Sequence, residues 1–401
     1  MNPYVGPDGD TRARFVWLGM HPGKQEEKEG RPFVGPSGKF MDMACGASPG
    51  RRGTWVTNVR KRRPPEQSAS ENERGIVEAL PELAEEFGAL AEARTMLTVG
   101  EDGLRAVLGL AEVSRFHGSM WNRAEIDAIR AAAEARGTPV VGVLPPKLHT
   151  LVAMYHPAFT MHGGLPQFRS MLMRTARRAA MWSARSNGPE RRSQGAFDLN
   201  PAPDVVQAWL RKADEGGWPI SLDVETPLDD DEKITICGLS AGGTTAVFRW
   251  APWWRDIVAE MMQRRGVVVG HNFLFDLYAL GAYGIVPGPE RVCVDTIVAE
   301  SLLRPSPRMK KDDRTGAAAR WHALATCVMD AGDGVAYWKE AMYAHPPRNK
   351  NRWATLAMYE ASYPWCPADE YDLLYCGLDA MYTLDPLWKA RREELRKEQM
   401  L

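Results

Sequence analysis

Long apolar runs are missing from this chain. No stretch approaches the roughly 20 consecutive apolar residues that a membrane-spanning helix requires, although 44% of its 401 residues are hydrophobic. The opening residues, MNPYVGPDGD, carry no basic stretch followed by an apolar one, so no secretory signal is expected there. Cysteine is sparse: Cys45, Cys237, Cys293, Cys327, Cys366 and Cys376 include no CxxC pair. That spacing argues against a disulfide framework or a cysteine-rich zinc site and predicts reduced thiols in a cytoplasmic setting. An excess of one charge is also lacking, since 50 Lys+Arg against 51 Asp+Glu leave a net charge of -1. Bulk charge therefore implies no polyanionic partner, and contact with nucleic acid would have to come from local basic patches.

The length exceeds one ordinary core and predicts two domains. Residues 186–203 are polar, rich in Gly, Pro, Ser and Asn, and without apolar period. They read as a linker between domains at 1–185 and 204–401. Strand and helix patterns alternate on both sides, which predicts α/β architecture. In the first half, strands are expected at 14–20, 54–59, 95–100 and 150–157. Helices are expected at 72–94, 122–136 and 168–185. In the second half, 220–226 reads as a strand and 233–250 as a hairpin turning at Ala241–Gly243. A strand at 266–272 leads into a helix over 273–283, and a last helix runs from about Ala368 past Lys397. Residues 304–320 read as a charged, mobile insertion.

Carboxylates in the second half recur at spacings that bring side chains together. Asp223 and Glu225 stand at i, i+2 on a strand and so leave one face. Asn272 and Asp276 are four apart at a helix start, and Tyr375 and Asp379 repeat that spacing on the last helix. Phosphodiester hydrolysis by two divalent ions, roughly 3.5–4 Å apart, needs such a cluster. Hard Mg²⁺ or Mn²⁺ prefers its oxygen donors.

These segments resemble the DEDD family of 3′→5′ exonucleases, in its tyrosine form, and most closely the proofreading domain of bacterial DNA polymerase I. SLDVET (221–226), VGHNFLFDLYAL (269–280) and YCGLDAMYT (375–383) match its three motifs, and Asp295-Thr296 matches its helix-opening DT pair. The resemblance covers 204–401 and implies a ribonuclease H-like fold. It implies that Asp223, Glu225, Asp276 and Asp379 hold two metal ions, with Asn272 at the DNA-binding side and Tyr375 orienting the attacking water. No polymerase segment follows the third motif, so a proofreading role would imply a separate DNA polymerase as partner.

In the first half, GMHPG (19–23), RPFVGPSG (31–38), TNVRKRRPP (57–65) and YHPAF (155–159) occur in the order found in the uracil-DNA glycosylase superfamily. The resemblance covers roughly 12–185, is closest to the thermostable bacterial and archaeal branch, and implies an α/β/α sandwich that flips a base out of DNA. By that resemblance Phe33 stacks on uracil, Asn58 reads its edge, and His156 stabilises charge developing on its O2. Phe159 and Met161 would lie in the loop inserted into the duplex. Arg60, Lys61, Arg62 and Arg63 would meet phosphate; the same run also reads as a solvated basic turn. Two features depart from the family. The four-cysteine iron–sulfur cluster of the thermostable branch is excluded by ligand count, because only Cys45 lies in this half. His21 stands where the family places an acidic or amide residue that positions water.

The resulting expectation is a DNA replication or repair nuclease, of bacterial or bacteriophage origin, whose uracil-DNA glycosylase-like module excises or senses uracil. Two alternatives stand beside it. One is a proofreading subunit whose first domain only binds DNA, and the other is a non-catalytic scaffold beside a polymerase.

Overall fold

In the computed structural model the described residues are 2–46, 49–65, 69–160, 168–227, 229–304, 323–339 and 350–400. The chain forms two compact units. The first comprises Met1–Glu190 with Asp333–Tyr337 and Trp353–Ser362; the second comprises Arg191–Gly332, Trp338–Arg352 and Tyr363–Leu401. The sequence reading set one linker, 186–203, between two sequential domains. In the structure Phe197–Leu199 of that stretch is a strand of the second sheet. Two short segments from beyond residue 330 belong to the first unit.

The first unit is built on five strands, β1 (Phe15–Gly19), β2 (Thr54–Asn58), β3 (Thr95–Val99), β4 (Met120–Asn122) and β5 (Thr150–Met154), in the order β2-β1-β3-β5-β4. All pairings are parallel except β4 with β5. Every residue of β1, β2, β3 and β5 is buried, as a parallel sheet covered on both faces requires. Among the helices, Ala69–Gly88 buries Leu80, Leu83 and Phe87. Arg123–Ala135 opens on Asn122, whose side chain accepts from Glu125 N–H in a reciprocal capping box. The chain leaves β1 toward β2 on one side and β3 on the other. That makes a switch point, and crevices open there at the carboxyl ends of strands.

The second unit holds β6 (Phe197–Leu199), β7 (Ile220–Glu225), β8 (Ile236–Ala241), β9 (Thr244–Arg249), β10 (Gly266–Gly270) and β11 (Arg291–Asp295), in the order β11-β10-β7-β8-β9-β6. β7, β8 and β9 form an antiparallel meander that includes the expected hairpin, while β10 and β11 run parallel to β7. This is the order of a ribonuclease H-like sheet, with β6 added at the far edge. Alternation along β7 sets the two faces apart. Leu222 and Val224 join the core formed with Trp254, Val258 and Met261 of helix Pro252–Gln263. Ser221, Asp223 and Glu225 face the other way, and Ser221 Oγ donates to Ala380 O at 2.5 Å on helix Tyr371–Tyr382.

The last helix is not continuous as expected. Helix Tyr371–Tyr382 ends in a wide turn, Thr383–Trp388, before helix Lys389–Lys397. Pro386 has no N–H to donate and pushes the residue before it out of helical conformation; Asp385 has φ −135° and ψ 112°. The expected insertion at 304–320 falls, beyond Arg304, outside the described residues. Among the described residues no helix is long and apolar enough to cross a membrane.

Candidate active sites

In the second unit three elements converge on β7. Asp223 and Glu225 project from it. Helix Phe273–Ala282 is hooked to the same strand by Asp276, whose Oδ1 accepts the backbone N–H of Val224 at 2.9 Å. Helix Tyr371–Tyr382 brings Asp379, Tyr375 and Cys376, all buried. The Cys376 thiol donates to Asp223 Oδ2 at 3.6 Å, and one donor atom each from Asp223, Glu225 and Cys376 lies within 4.8 Å of the others. The i, i+4 pair Tyr375 and Asp379 meets through Lys339, whose Nζ contacts Asp379 Oδ2 and lies 3.1 Å from Tyr375 Oη. Trp338 Nε1 donates to Asp379 Oδ1 at 2.6 Å.

Asn272 plays a backbone part. It takes a left-handed conformation, φ 59°, at the head of its helix and is exposed, whereas Asp276 one turn on is buried. The Asp295 carboxylate accepts N–H groups from Asn272, Phe273 and Ile297, each at 2.9 Å. One side chain at the end of β11 thus caps two helices and fixes the approach of Asp276.

Charge crowding shapes this site. Burial, then the negative charges of Asp379, Glu225 and Asp276, hold the Asp223 carboxyl well above its ordinary range. Burial and Asp379 push Glu225 up to about 8. Asp276 is raised by burial although the Val224 N–H pulls the other way. Burial disfavours the Lys339 ammonium, but Asp379, Asp223 and Glu225 outweigh it and raise its pKa. Enclosed carboxylates that repel one another, with hard oxygen donors from three elements, fit a divalent cation. Sequence reasoning missed Lys339, Trp338 and Cys376. Lys339 and Trp338 lie outside all three motifs, and only the fold brings them to Asp379. Cys376 lies inside the third motif but carried no spacing signal.

In the first unit a cavity of about 580 Å³ opens at the carboxyl ends of β1 and β2, lined in part by His21, Glu26, Phe33, Asn58 and His156. Glycine at position 19 is obligatory for its shape: a Cβ there would stand 2.4 Å from both Asn58 Oδ1 and Phe33 Cζ. Phe33, with φ 52°, is buried beside Trp17 and has its ring centroid 6.3 Å from that of His156. The Glu26 carboxylate accepts N–H groups of Gly23, Val34 and Gly35 at 2.9–3.1 Å and ties the two glycine-proline turns together.

The two histidines are held in opposite tautomers. His21 Nδ1 lies 3.0 Å from Pro22 O, which only accepts, so Nδ1 carries the proton and Nε2 is an acceptor. His156 Nδ1 accepts from Ala158 N–H at 3.2 Å, so its proton sits on Nε2, a donor. Burial lowers the pKa of His21.

Comparison with known proteins bears on this half directly. Residues 7–179 match the family model of the uracil DNA glycosylase superfamily. The first half of the chain carries a domain of that superfamily. It is similar to the type-4 uracil-DNA glycosylase of Pyrobaculum aerophilum, at 32% identity over 107 residues, 26% of this chain and 54% of that protein. The enzymes of Archaeoglobus fulgidus (40% over 63 residues, 16% and 32% of the two chains) and Thermotoga maritima (42% over 65 residues, 16% and 33%) are similar over shorter spans. The chain thus spans about half or less of the length of these curated relatives. Solved structures similar to this chain include Brucella melitensis NrnC with bound Mg²⁺ (18% identity, 51% of this chain and 83% of that chain, TM-score 0.31). The Aedes aegypti Nibbler EXO domain is another (13% identity, 53% and 94%, TM-score 0.32).

Within the uracil DNA glycosylase superfamily domain, two expected phosphate contacts are corrected. Arg60 and Lys61 are buried. Arg60 pairs with Asp102 at 2.7 Å, and Lys61 Nζ bonds Glu86, Thr57 Oγ1 and Asn58 O. Their charges are consumed inside the fold, because an unpaired buried cation costs several kcal/mol. Arg63 pairs with Glu27 at 3.1 Å. Arg62 is exposed, bonded to Asn2 O and lying over the Tyr4 ring. Phe159, expected to enter DNA, is half-buried and stacks on Tyr155 with centroids 4.8 Å apart. Met161 lies outside the described residues.

Proposed function

We propose that this chain is a DNA-processing hydrolase with two separate sites: a metal-dependent 3′→5′ exonuclease centre in the second unit and a uracil-excising pocket in the first. The observation that supports the exonuclease reading is that Asp276 and Asp379, from two helices, lie close enough to Asp223 and Glu225 on β7 to act on them electrostatically, with Tyr375 linked to Asp379 through Lys339. Asp223, Glu225, Asp276 and Asp379 would hold Mg²⁺ or Mn²⁺. When bound, such ions supply activation of water and neutralisation of charge at the scissile phosphate. The Tyr375 hydroxyl orients the attacking water, and Asp276, tied to Val224, keeps its helix in register with β7. The 3′→5′ direction rests on the match of the three motifs.

In the first unit the opposite tautomers support excision. Nε2–H of His156 donates to the uracil oxygen as the glycosidic electron pair moves onto the base. Nε2 of His21 accepts from the water that attacks C1′. Phe33 stacks on the flipped base and Asn58 reads its edge.

One substrate tests both sites: single-stranded DNA, 5′-labelled, with one internal uracil. With Mg²⁺ a denaturing gel should show a ladder from the 3′ end. In EDTA the ladder should vanish, while an alkali-sensitive break at the uracil persists. A ladder in EDTA would refute the metal reading. No abasic site at any pH from 6 to 8.5 would leave the first unit as a binding module.

A further inference from the structure

Lys339 occupies an unusual place. Its ammonium contacts Asp379 Oδ2, lies 3.1 Å from Tyr375 Oη and stands 4.7 Å from the centroid of the Tyr375 ring. Three carboxyls, those of Asp379, Asp223 and Glu225, act electrostatically on it. The Asp379 side chain is only 5% exposed and that of Lys339 18%, so this pair is largely withdrawn from solvent screening. Trp338, fully buried, donates to the other oxygen of Asp379 and fixes the backbone that presents the lysine.

We propose that Lys339 is the resident counter-ion of the carboxylate cluster. It holds Asp379 and Tyr375 in place until a divalent cation enters, and it leaves Asp379 when one does. This rests on the metal-binding reading of the cluster given above. Asp379, largely buried, takes Trp338 Nε1–H on one oxygen and Lys339 Nζ on the other, so removing this ammonium leaves an enclosed carboxylate without its charge partner. If Asp379 serves as a metal ligand, its carboxylate would face a divalent charge that repels the Lys339 ammonium, and the ammonium would give up its contact with Asp379. The lysine thus works as a threshold. It keeps the site folded without metal and weakens metal binding by the strength of the ion pair that must be broken.

The test uses the full chain. Mg²⁺ binding by calorimetry and thermal midpoints in EDTA and in Mg²⁺ are compared for the parent, Lys339→Met and Lys339→Arg. Lys339→Met should melt several degrees lower in EDTA, bind Mg²⁺ severalfold more tightly, and gain more from Mg²⁺ than the parent. Lys339→Arg, which keeps the charge, should bind no more tightly than the parent. A second readout needs no substitution: in the parent, amine-reactive labelling of Lys339 followed by mass spectrometry should rise severalfold on adding Mg²⁺. Normal Mg²⁺ binding with unchanged affinity in Lys339→Met and unchanged labelling of Lys339 would overturn this inference and leave the metal reading standing. Absence of Mg²⁺ binding in both the parent and Lys339→Met would overturn the metal reading and the inference with it.

Discussion

The imidazole of His21 stays neutral to lower pH than a free one, because burial disfavours its charged form. Two consequences share one sign. Between its lowered folded pKa and the ordinary value near 6.5, the unfolded chain binds a proton that the folded chain does not, so this residue costs stability as pH falls below about 6.5. Uracil excision that relies on the neutral ring as acceptor should decline only below that pH, not at it. A pH profile of abasic-site formation in EDTA, alongside titration of the His21 ring by NMR, checks this. An acid limb at or above pH 6.5 would mean that His21 is not the acceptor. Tyr375→Phe tests a different atom. In the proposed role the hydroxyl would orient water without holding metal, so nucleotide release should slow on the order of 10²-fold while Mg²⁺ affinity measured by calorimetry barely changes. Equal loss of metal binding would assign Tyr375 another role.

At the scale of elements, Asp295 joins β11 to the heads of two helices through three N–H groups. Asp295→Ala should lower stability by roughly 0.5–2 kcal/mol in urea titration, as N–H groups at two helix starts lose their capping acceptor. It should also weaken Mg²⁺ binding, since helix Phe273–Ala282 carries Asp276. A stable variant with unaltered Mg²⁺ affinity would show that the helix is positioned without this cap. Much of this architecture was legible beforehand. Alternation placed Asp223 and Glu225 on one face of β7, the apolar period of 72–94 marked its buried stripe, and Ala241–Gly243 marked the hairpin turn. What was not legible depended on contacts distant in sequence. Arg60 and Lys61 read as a surface basic run because nothing local announces Asp102 and Glu86 as their partners. Lys339 reaches Asp379 across 40 positions. The strands β4 and β6, three residues each, are too short for any periodicity, and the break at Pro386 was hidden by strong helical pattern on either side.

At the scale of the whole chain, the first unit is not a contiguous stretch. Val335 O accepts from Met120 N–H at 2.8 Å, Tyr337 N–H donates to Ser119 Oγ at 3.1 Å, and Asp333 accepts from Trp182 Nε1 and Arg185. A fragment ending at Glu190 should therefore unfold at lower urea than the same unit in the full chain, followed by tryptophan fluorescence; equal midpoints would show these segments to be dispensable. The proposed exonuclease centre depends on the carboxylate cluster. The most direct measurement is degradation of 5′-labelled single-stranded DNA in Mg²⁺ by the parent chain and by the double variant Asp223→Ala, Glu225→Ala, with a thermal melt of each in EDTA. The parent should release nucleotides from the 3′ end, and the double variant should release none while melting no lower than the parent, because two carboxyls whose burial is unfavourable without metal have been removed. Degradation by the folded double variant at the parent rate would contradict the assignment of this site.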